Sequence, residues 1–318
     1  MIVVCGDALI DFLPVALPEG GSGYIPVCGG SCCNIATAIG RLGGKVGFMG
    51  GLSEDFFGAM LVQQFNEAGI DLRYATRLPF DTTLAFVRLG DDEPEYAFYD
   101  SGSAARHWTL KGAPSLGTEV DVLHIGSVTL IHPPVSSACE SLFENEQGKR
   151  VLSIDPNCRP GLAQDPEAYR QRLNRLCGMA DIVKLSVTDL GFMQPGVGPH
   201  SAAESWLSNR AKIVLVSRGA GGATVYLAGG RVVEVPARPA RVVDTVGAGD
   251  ALIAGFLTHL QQSGDLHRDS IGALTGDRAR KALEFAAHVA SLACEHRGSD
   301  PPWRREIIVA GYDESSQM

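Results

Sequence analysis

Short runs of β-branched and aliphatic residues alternate with amphipathic stretches along most of the chain. IVVCG (2–6), KVGFMG (45–50), VDVLHIG (120–126), RVLSID (150–155), DIVKLS (181–186), KIVLVSRG (212–219) and ATVYLA (223–228) read as strands. Several are apolar throughout, as strands covered on both faces are. Between them, NIATAIGRLG (34–43) sets Ile35, Ala38, Ile39 and Leu42 on one helical face. Asn34 is placed to cap that helix and Gly43 to end it. FFGAMLVQQFNEAG (56–69) and PPVSSACESLFENEQG (133–148) follow the same pattern. The alternation predicts an α/β fold: a doubly wound, mostly parallel central sheet with helices on both faces.

Two segments break the rhythm. Residues 13–30, LPVALPEGGSGYIPVCGG, are rich in glycine and proline, and residues 82–102 carry two alternating runs around a polar turn at 90–94, a hairpin signal. Together they predict a small β-sheet lid, built from two excursions of one domain that spans 1–318. Such a lid is suited to cover a site or to pair with a second copy of the chain. The last residues, DESSQM, read as frayed.

Composition narrows the possible functions. The formal net charge is −9 and the pI about 5.4, which excludes non-specific binding to nucleic acid or to an anionic membrane. An anionic ligand then needs a locally positive site, and backbone amides can supply one. The N-terminus has no basic region, and Asp7 and Asp11 interrupt its apolar run, so it reads as neither a secretory signal nor a membrane span. Eight scattered cysteines point to reduced thiols and a cytoplasmic location. Cys28, Cys32 and Cys33 lie close together, but no second Cys/His cluster with zinc spacing follows, and they read as small buried thiols.

The densest chemistry lies in DTVGAGDALIAGF (244–256). Glycines at 247 and 249 let the backbone bend sharply into an apolar helix, so that successive N–H groups converge at its start. Such a helix start binds anions. Asp250, inside that start, makes sense if a hydroxyl must lose a proton beside a phosphoryl group. On spacing alone, a structural turn with a dipole-complementing Asp stays open. No Gly-Lys-Ser/Thr step occurs, which disfavours a P-loop NTPase, and no Gly-x-Gly-x-x-Gly follows the first strand, which disfavours a Rossmann dehydrogenase.

DTVGAGDALIAGFL resembles the C-terminal signature of the ribokinase-like (PfkB) carbohydrate kinases, and GGSCCNIATAIGRLG (29–43) resembles their N-terminal signature. The end of the first strand, GDALIDF, and the segments DPNCRPGL (155–162) and KLSVTDL (184–190) fall where that family has its other motifs. The resemblance covers nearly the whole chain. It implies an ATP-dependent sugar kinase in which Gly247, Ala248 and Gly249 form the anion hole and Asp250 is the catalytic base. The helix N-terminus is expected to keep Asp250 ionised, with a low pKa. The resemblance assigns Asp11, Gly29, Gly30 and Asn34 to the sugar, with Asp7 and Arg159 as further candidates. For ATP it implies Lys184, Ser186, Ser217, Gly219, Gly222 and Gly249.

Magnesium enters by the same resemblance. The family's Asn-x-x-Glu step is Ser186 and Asp189 here, which keeps an oxygen at both positions but shortens the acid, so Mg²⁺ is expected to be reached through water. A potassium ion beside the anion hole would use carbonyls of Asp244 and Val246 and of the turn HRGSDPP (296–302). The favoured substrate is fructose at its 6-hydroxyl. The alternatives are 2-keto-3-deoxygluconate, which Arg88, Tyr96, Tyr99 and Arg106 would suit, a ribokinase-type sugar, and a catalytically silent sugar sensor. A homodimer through the lid is expected.

Overall fold

The computed structural model describes residues 1–18, 20–88 and 95–310. Its strands, in chain order, are β1 (Ile2–Cys5), β2 (Leu9–Ala16), β3 (Ser22–Gly29), β4 (Val46–Ser53), β5 (Ala75–Leu78), β6 (Thr83–Arg88), β7 (Glu95–Tyr99), β8 (Val122–Gly126), β9 (Val151–Asp155), β10 (Ile182–Ser186), β11 (Ile213–Ser217), β12 (Ala223–Leu227) and β13 (Arg231–Val235). The large sheet has the order β13-β12-β11-β10-β9-β8-β1-β4-β5. Its pairings are parallel from β5 to β11, and β12 and β13 add an antiparallel edge. The expected α/β architecture is therefore present. β5 and β13 are additions to the expected strands. Both are short, and β13 alternates exposed and buried positions as an edge strand does.

β1 shows how the sequence builds the layers. Ile2 and Val4 face one core, with helices Ser31–Arg41, Ala248–Gln262 and Gly276–Ala293; Val3 and Cys5 face the other, with helices Val135–Glu146, Pro166–Met179 and Pro199–Asn209. The two-residue period of a strand sends successive side chains to opposite faces. All four are fully buried, which explains the unbroken apolar run.

The smaller sheet has the order β3-β2-β6-β7, with β2 and β6 parallel and the outer pairs antiparallel. β2 starts at Leu9 rather than near residue 13, because the chain leaves β1 at Cys5 and enters the small sheet after Gly6, Asp7 and Ala8. The earlier start puts Asp11 on this sheet. The expected turn at 90–94 and the tail at 313–318 lie outside the described residues.

The first helix also starts earlier than its pattern predicts, at Ser31 with Gly30 at the N-cap, so Asn34 is buried in the first turn and is not the cap. Gly43 does follow the helix end with φ +80°. Helix Ala248–Gln262 lies close against helix Gly276–Ala293. A Cβ on Gly255 would fall 2.9 Å from Ala286 Cα and 3.2 Å from the Val289 side chain. Helix propensity alone favours Gly→Ala by about 1 kcal/mol. Crowding should reverse that sign here, so Gly255→Ala is expected to lower the urea midpoint, with a loss of about 1–3 kcal/mol in equilibrium unfolding.

Candidate active site

β1 pairs in parallel with β4 on one side and β8 on the other, and the chain winds away from β1 in both directions. In such sheets the crevice outside the carboxyl ends of the diverging strands holds the ligand. Asp7 follows β1 and Ser127 follows β8 at that crevice. Ser127 is buried, has φ 64° and donates to Asp7 Oδ2 at 3.4 Å. A left-handed serine stores backbone strain. Asp7 also accepts from the amides of Ser31 (3.0 Å) and Cys32 (3.1 Å), so its carboxylate caps the helix that Asn34 was expected to cap. Burial nevertheless pushes its pKa up.

The elbow before helix Ala248–Gln262 reaches the same crevice. Gly247 is the N-cap with φ 79°, and a Cβ there would run into Ser299. The first regular bond of the helix joins Ala251 N–H to Gly247 O at 2.8 Å. The amides of Gly249 and Asp250 precede it, among those a helix start leaves without an intrahelical acceptor. Asp250 is held from the first helix: Ser31 Oγ donates to Oδ1 at 2.6 Å and Asn34 Nδ2 to Oδ2 at 2.8 Å. The expectation of a low pKa does not hold. Burial pushes it up, opposed by those two hydrogen bonds and by the charge of Lys184.

Lys184, near the end of β10, is 4% exposed and donates to Asp155 Oδ2 at 2.5 Å. Burial alone would lower its pKa, but the charges of Asp155, Asp189 and Asp250 outweigh it, and the net direction is upward. We read the group as an ammonium. Asp189 closes a capping box with Ser186, accepting from its amide (2.9 Å) and hydroxyl (2.6 Å), and also takes the Cys158 amide at 2.7 Å. Its carboxylate is thus committed to the loop after β9. Among the described residues, no group of three or more His, Cys, Asp or Glu is arranged to hold a metal.

Asp11 lines a cavity with Leu13, Tyr96, Asp244, Val246 and Arg297. A Cβ on Gly29 would collide with the Asp11 carboxylate, and one on Gly30 (φ +95°) would lie 2.9 Å from Asp7 Oδ2. The glycine pair therefore makes room for two acids. Asp244 Oδ1 accepts from Val246 N–H (3.0 Å) and Oδ2 from Gly298 N–H (2.9 Å), which joins the loop before the elbow to the late glycine turn. Arg106 lines a neighbouring cavity with Asp7 and Asp100 and pairs with Asp100 at 2.9 Å, whereas Tyr99 is 64% exposed. Arg159 is exposed and donates to the carbonyls of Asn157 and Cys158. Ser217 pairs in register with Ser186, and Gly219 and Gly222 shape the turn beyond it, both with positive φ.

Residues 1–305 match the model of the pfkB family of carbohydrate kinases. The chain belongs to this family. It is 39% identical over 276 residues to a fructokinase of Rhizobium leguminosarum bv. trifolii, covering 86% of this chain and 84% of the relative. It is 33% identical to a probable fructokinase-3 of Arabidopsis thaliana, covering 98% and 91%. Among solved structures, a fructokinase of Xylella fastidiosa with bound ATP superposes with TM-score 0.87 at 29% identity, covering 97% of each chain. A fructokinase of Vibrio cholerae with fructose, ADP and calcium bound superposes with TM-score 0.82 at 26% identity, covering 94% of each.

Within this pfkB carbohydrate kinase the crevice gathers Asp7, Ser31, Asn34, Lys184 and the 247–250 elbow. Arg159 is exposed, and its charge acts on Tyr96, which lines the cavity with Asp11. Sequence reading missed Ser31 and Asp155. The only signal for Ser31 was its place directly after the glycine pair, and for Asp155 its place at a strand end. Cys32 and Cys33 are fully buried, and burial pushes both thiols up.

Burial, reinforced by the charges of Asp7 and Asp250, raises Asp11 to about 7. Its folded pKa then lies above the ordinary carboxylate value of 3.8. The ionised side chain therefore costs stability above about pH 7, a cost that fades as pH falls through 7 and is gone below the unfolded value. Asp11→Asn is expected to raise the melting temperature by a few degrees near about pH 8, with no gain near about pH 4, as read by thermal unfolding across pH.

Proposed function

We propose that this chain transfers the γ-phosphoryl group of ATP to the 6-hydroxyl of D-fructose in the cytoplasm. The observation that carries the reading is the buried Asp250 carboxylate, inside an open helix start and aimed by Ser31 and Asn34. In this reading Asp250 takes the hydroxyl proton, the freed oxygen bonds to the γ-phosphorus, and the bond from that phosphorus to the bridging oxygen breaks, releasing ADP. The amides of Gly247, Ala248 and Gly249 receive the phosphoryl oxygens, Ala248 giving up the Thr245 carbonyl to which it donates at 3.2 Å. A carboxylate whose pKa is raised by burial is the better base for this step, within the roughly 10²–10⁴-fold that general-base help supplies.

The sugar lies on the small-sheet side, against Asp11, Asn34, Asp7 and the Gly29–Gly30 backbone. Asn34 Oδ1 is a buried acceptor without a partner, a place for a hydroxyl donor. Arg159, whose charge acts on Tyr96 in the Asp11 cavity, is a further sugar contact in this reading. ATP lies along Lys184, Ser186, Ser217, Gly219 and Gly222, at the ends of β10 and β11. Asp189 already accepts three hydrogen bonds, so it would meet a magnesium ion through water rather than directly. When bound, that ion neutralises phosphate charge. In this reading the carbonyls of Asp244 and Val246 would hold potassium beside the late turn that Asp244 ties down through the Gly298 amide.

The small sheet also supports a homodimer. Phe12 and Phe86 stack at 4.4 Å, with Tyr24 and Tyr99 edge-on to Phe86. Tyr24, Tyr99 and nearby Phe56 are 47%, 64% and 71% exposed. An aromatic surface of this kind suits a second copy.

Two tests follow. A coupled ADP assay across ketoses, aldoses and 2-keto-3-deoxygluconate should rank fructose first, and another sugar ahead of it would replace the assignment. Asp250→Asn should lower kcat by about 10³-fold or more while ATP and sugar still bind. For assembly, Phe56→Glu with Tyr99→Glu should turn a dimer into a monomer in sedimentation velocity.

A further inference from the structure

We propose that a polar cavity at the amino ends of β10 and β11 binds a phosphorylated sugar, at the opposite end of the large sheet from the crevice.

The cavity measures about 490 Å³, within the range of small-molecule sites. Asp181, directly before β10, and Lys212, directly before β11, line it together with Arg210 and Arg268. Ser186 and Ser217 end the same two strands at the crevice. The length of strand between puts the two places on the order of 15 Å apart.

Charge is the first observation. The chain carries −9 overall, yet among the described residues the cavity is lined by three cations and one carboxylate. That acid is already committed. Asp181 is buried, its Oδ2 accepts from the Leu152 amide at 2.9 Å, and its Oδ1 faces the Arg210 guanidinium at 3.3 Å. It offsets one cation and leaves two. Lys212 is half-buried and Arg268 exposed, and neither side chain meets an acceptor among the described residues. Arg210 Nε is itself buried without a partner. Like charges around one space repel, and partial burial of an unpaired charge adds to the cost. Phosphoryl oxygens in the cavity would reverse both effects.

A cation beside a helix C-terminus is ordinary, and Arg210 follows directly on helix Pro199–Asn209. That accounts for Arg210 alone. Lys212 donates its backbone amide to the Asp181 carbonyl at 2.7 Å, but its ammonium reaches no carbonyl among the described residues. Arg268, on the loop after helix Ala248–Gln262, reaches none either.

The rest of the lining selects the class of ligand. No aromatic ring lines the cavity among the described residues, so a nucleotide base has nothing to stack on. The side-chain amides of Gln147 and Asn209 stand at the wall instead, and amides pair readily with hydroxyls. Cations for phosphate and amides for hydroxyls fit a sugar phosphate, and the space exceeds what inorganic phosphate fills.

Titration calorimetry at fixed ionic strength tests the proposal, with fructose, Mg²⁺ and the imido analogue of ATP present to occupy the crevice. The probe is fructose 1,6-bisphosphate. The expected dissociation constant is below about 100 µM and at least about tenfold lower than that of sulfate. Lys212→Gln and Arg268→Gln should each weaken binding by about fivefold or more. Both should leave kcat unchanged when the probe is absent. Arg268 is exposed, so its variant carries the test if Lys212→Gln fails to fold. No binding, or wild-type affinity in both variants, would overturn the proposal. Sulfate binding as tightly as the probe would mean an adventitious ion only, and tighter binding of AMP would make the site one for nucleotides; either result refutes it. Failure of the fructose assignment leaves these readouts intact, because a probe lodged in the crevice would be insensitive to both variants.

Discussion

The two short hydrogen bonds onto Asp250 join side chains 219 and 216 residues apart in sequence. They fasten the first helix of the fold to the late helix that carries the elbow. The two helices share one core cluster, with Ile35, Ile39, Ile253 and Leu257 all fully buried. Close packing sets the distance between the helix starts, and the carboxylate then finds its partners without adjustment. The aim of the Asp250 carboxylate is thus a property of the apolar core.

The cost of this arrangement is electrostatic. Asp7, Asp11, Asp155 and Asp250 all have pKa values raised by burial. Asp155 rises to about 6 for that reason even with Lys184 beside it. A chain folding for stability alone would not gather four such groups in one region. Their concentration at the carboxyl ends of the parallel strands marks the region as built for a ligand, and the surrounding apolar layers hold it together.

Much of this was legible in the residues. Unbroken apolar runs gave away the central strands, because both faces of a parallel sheet are covered. The glycine-rich elbow gave away the helix start. Other features were hidden for physical reasons. Asn34 reads as a cap because a local pattern cannot show that Asp7, 24 residues from Ser31 in sequence, supplies the cap instead. A helix-terminal position suggested a low pKa for Asp250, since depth of burial is set by packing that no short segment reveals. The Lys184–Asp155 pair depends on two strands lying side by side, and Tyr99 points outward because of the register between β6 and β7. Pairings and registers of this kind arise only in the folded chain.

The seam at Gly6, Asp7 and Ala8, where one strand ends in the large sheet and the next begins in the small one, divides the labour of the site. Asp250, Lys184 and Asp155 stand on the large-sheet side, whereas Asp11 and Tyr96 ride on the small sheet. Under the proposed function, exchanges among side chains beyond the seam remodel what is recognised and leave the apparatus that handles the reactive group untouched. One chassis of this design can therefore diversify its clientele by modest drift in four short strands.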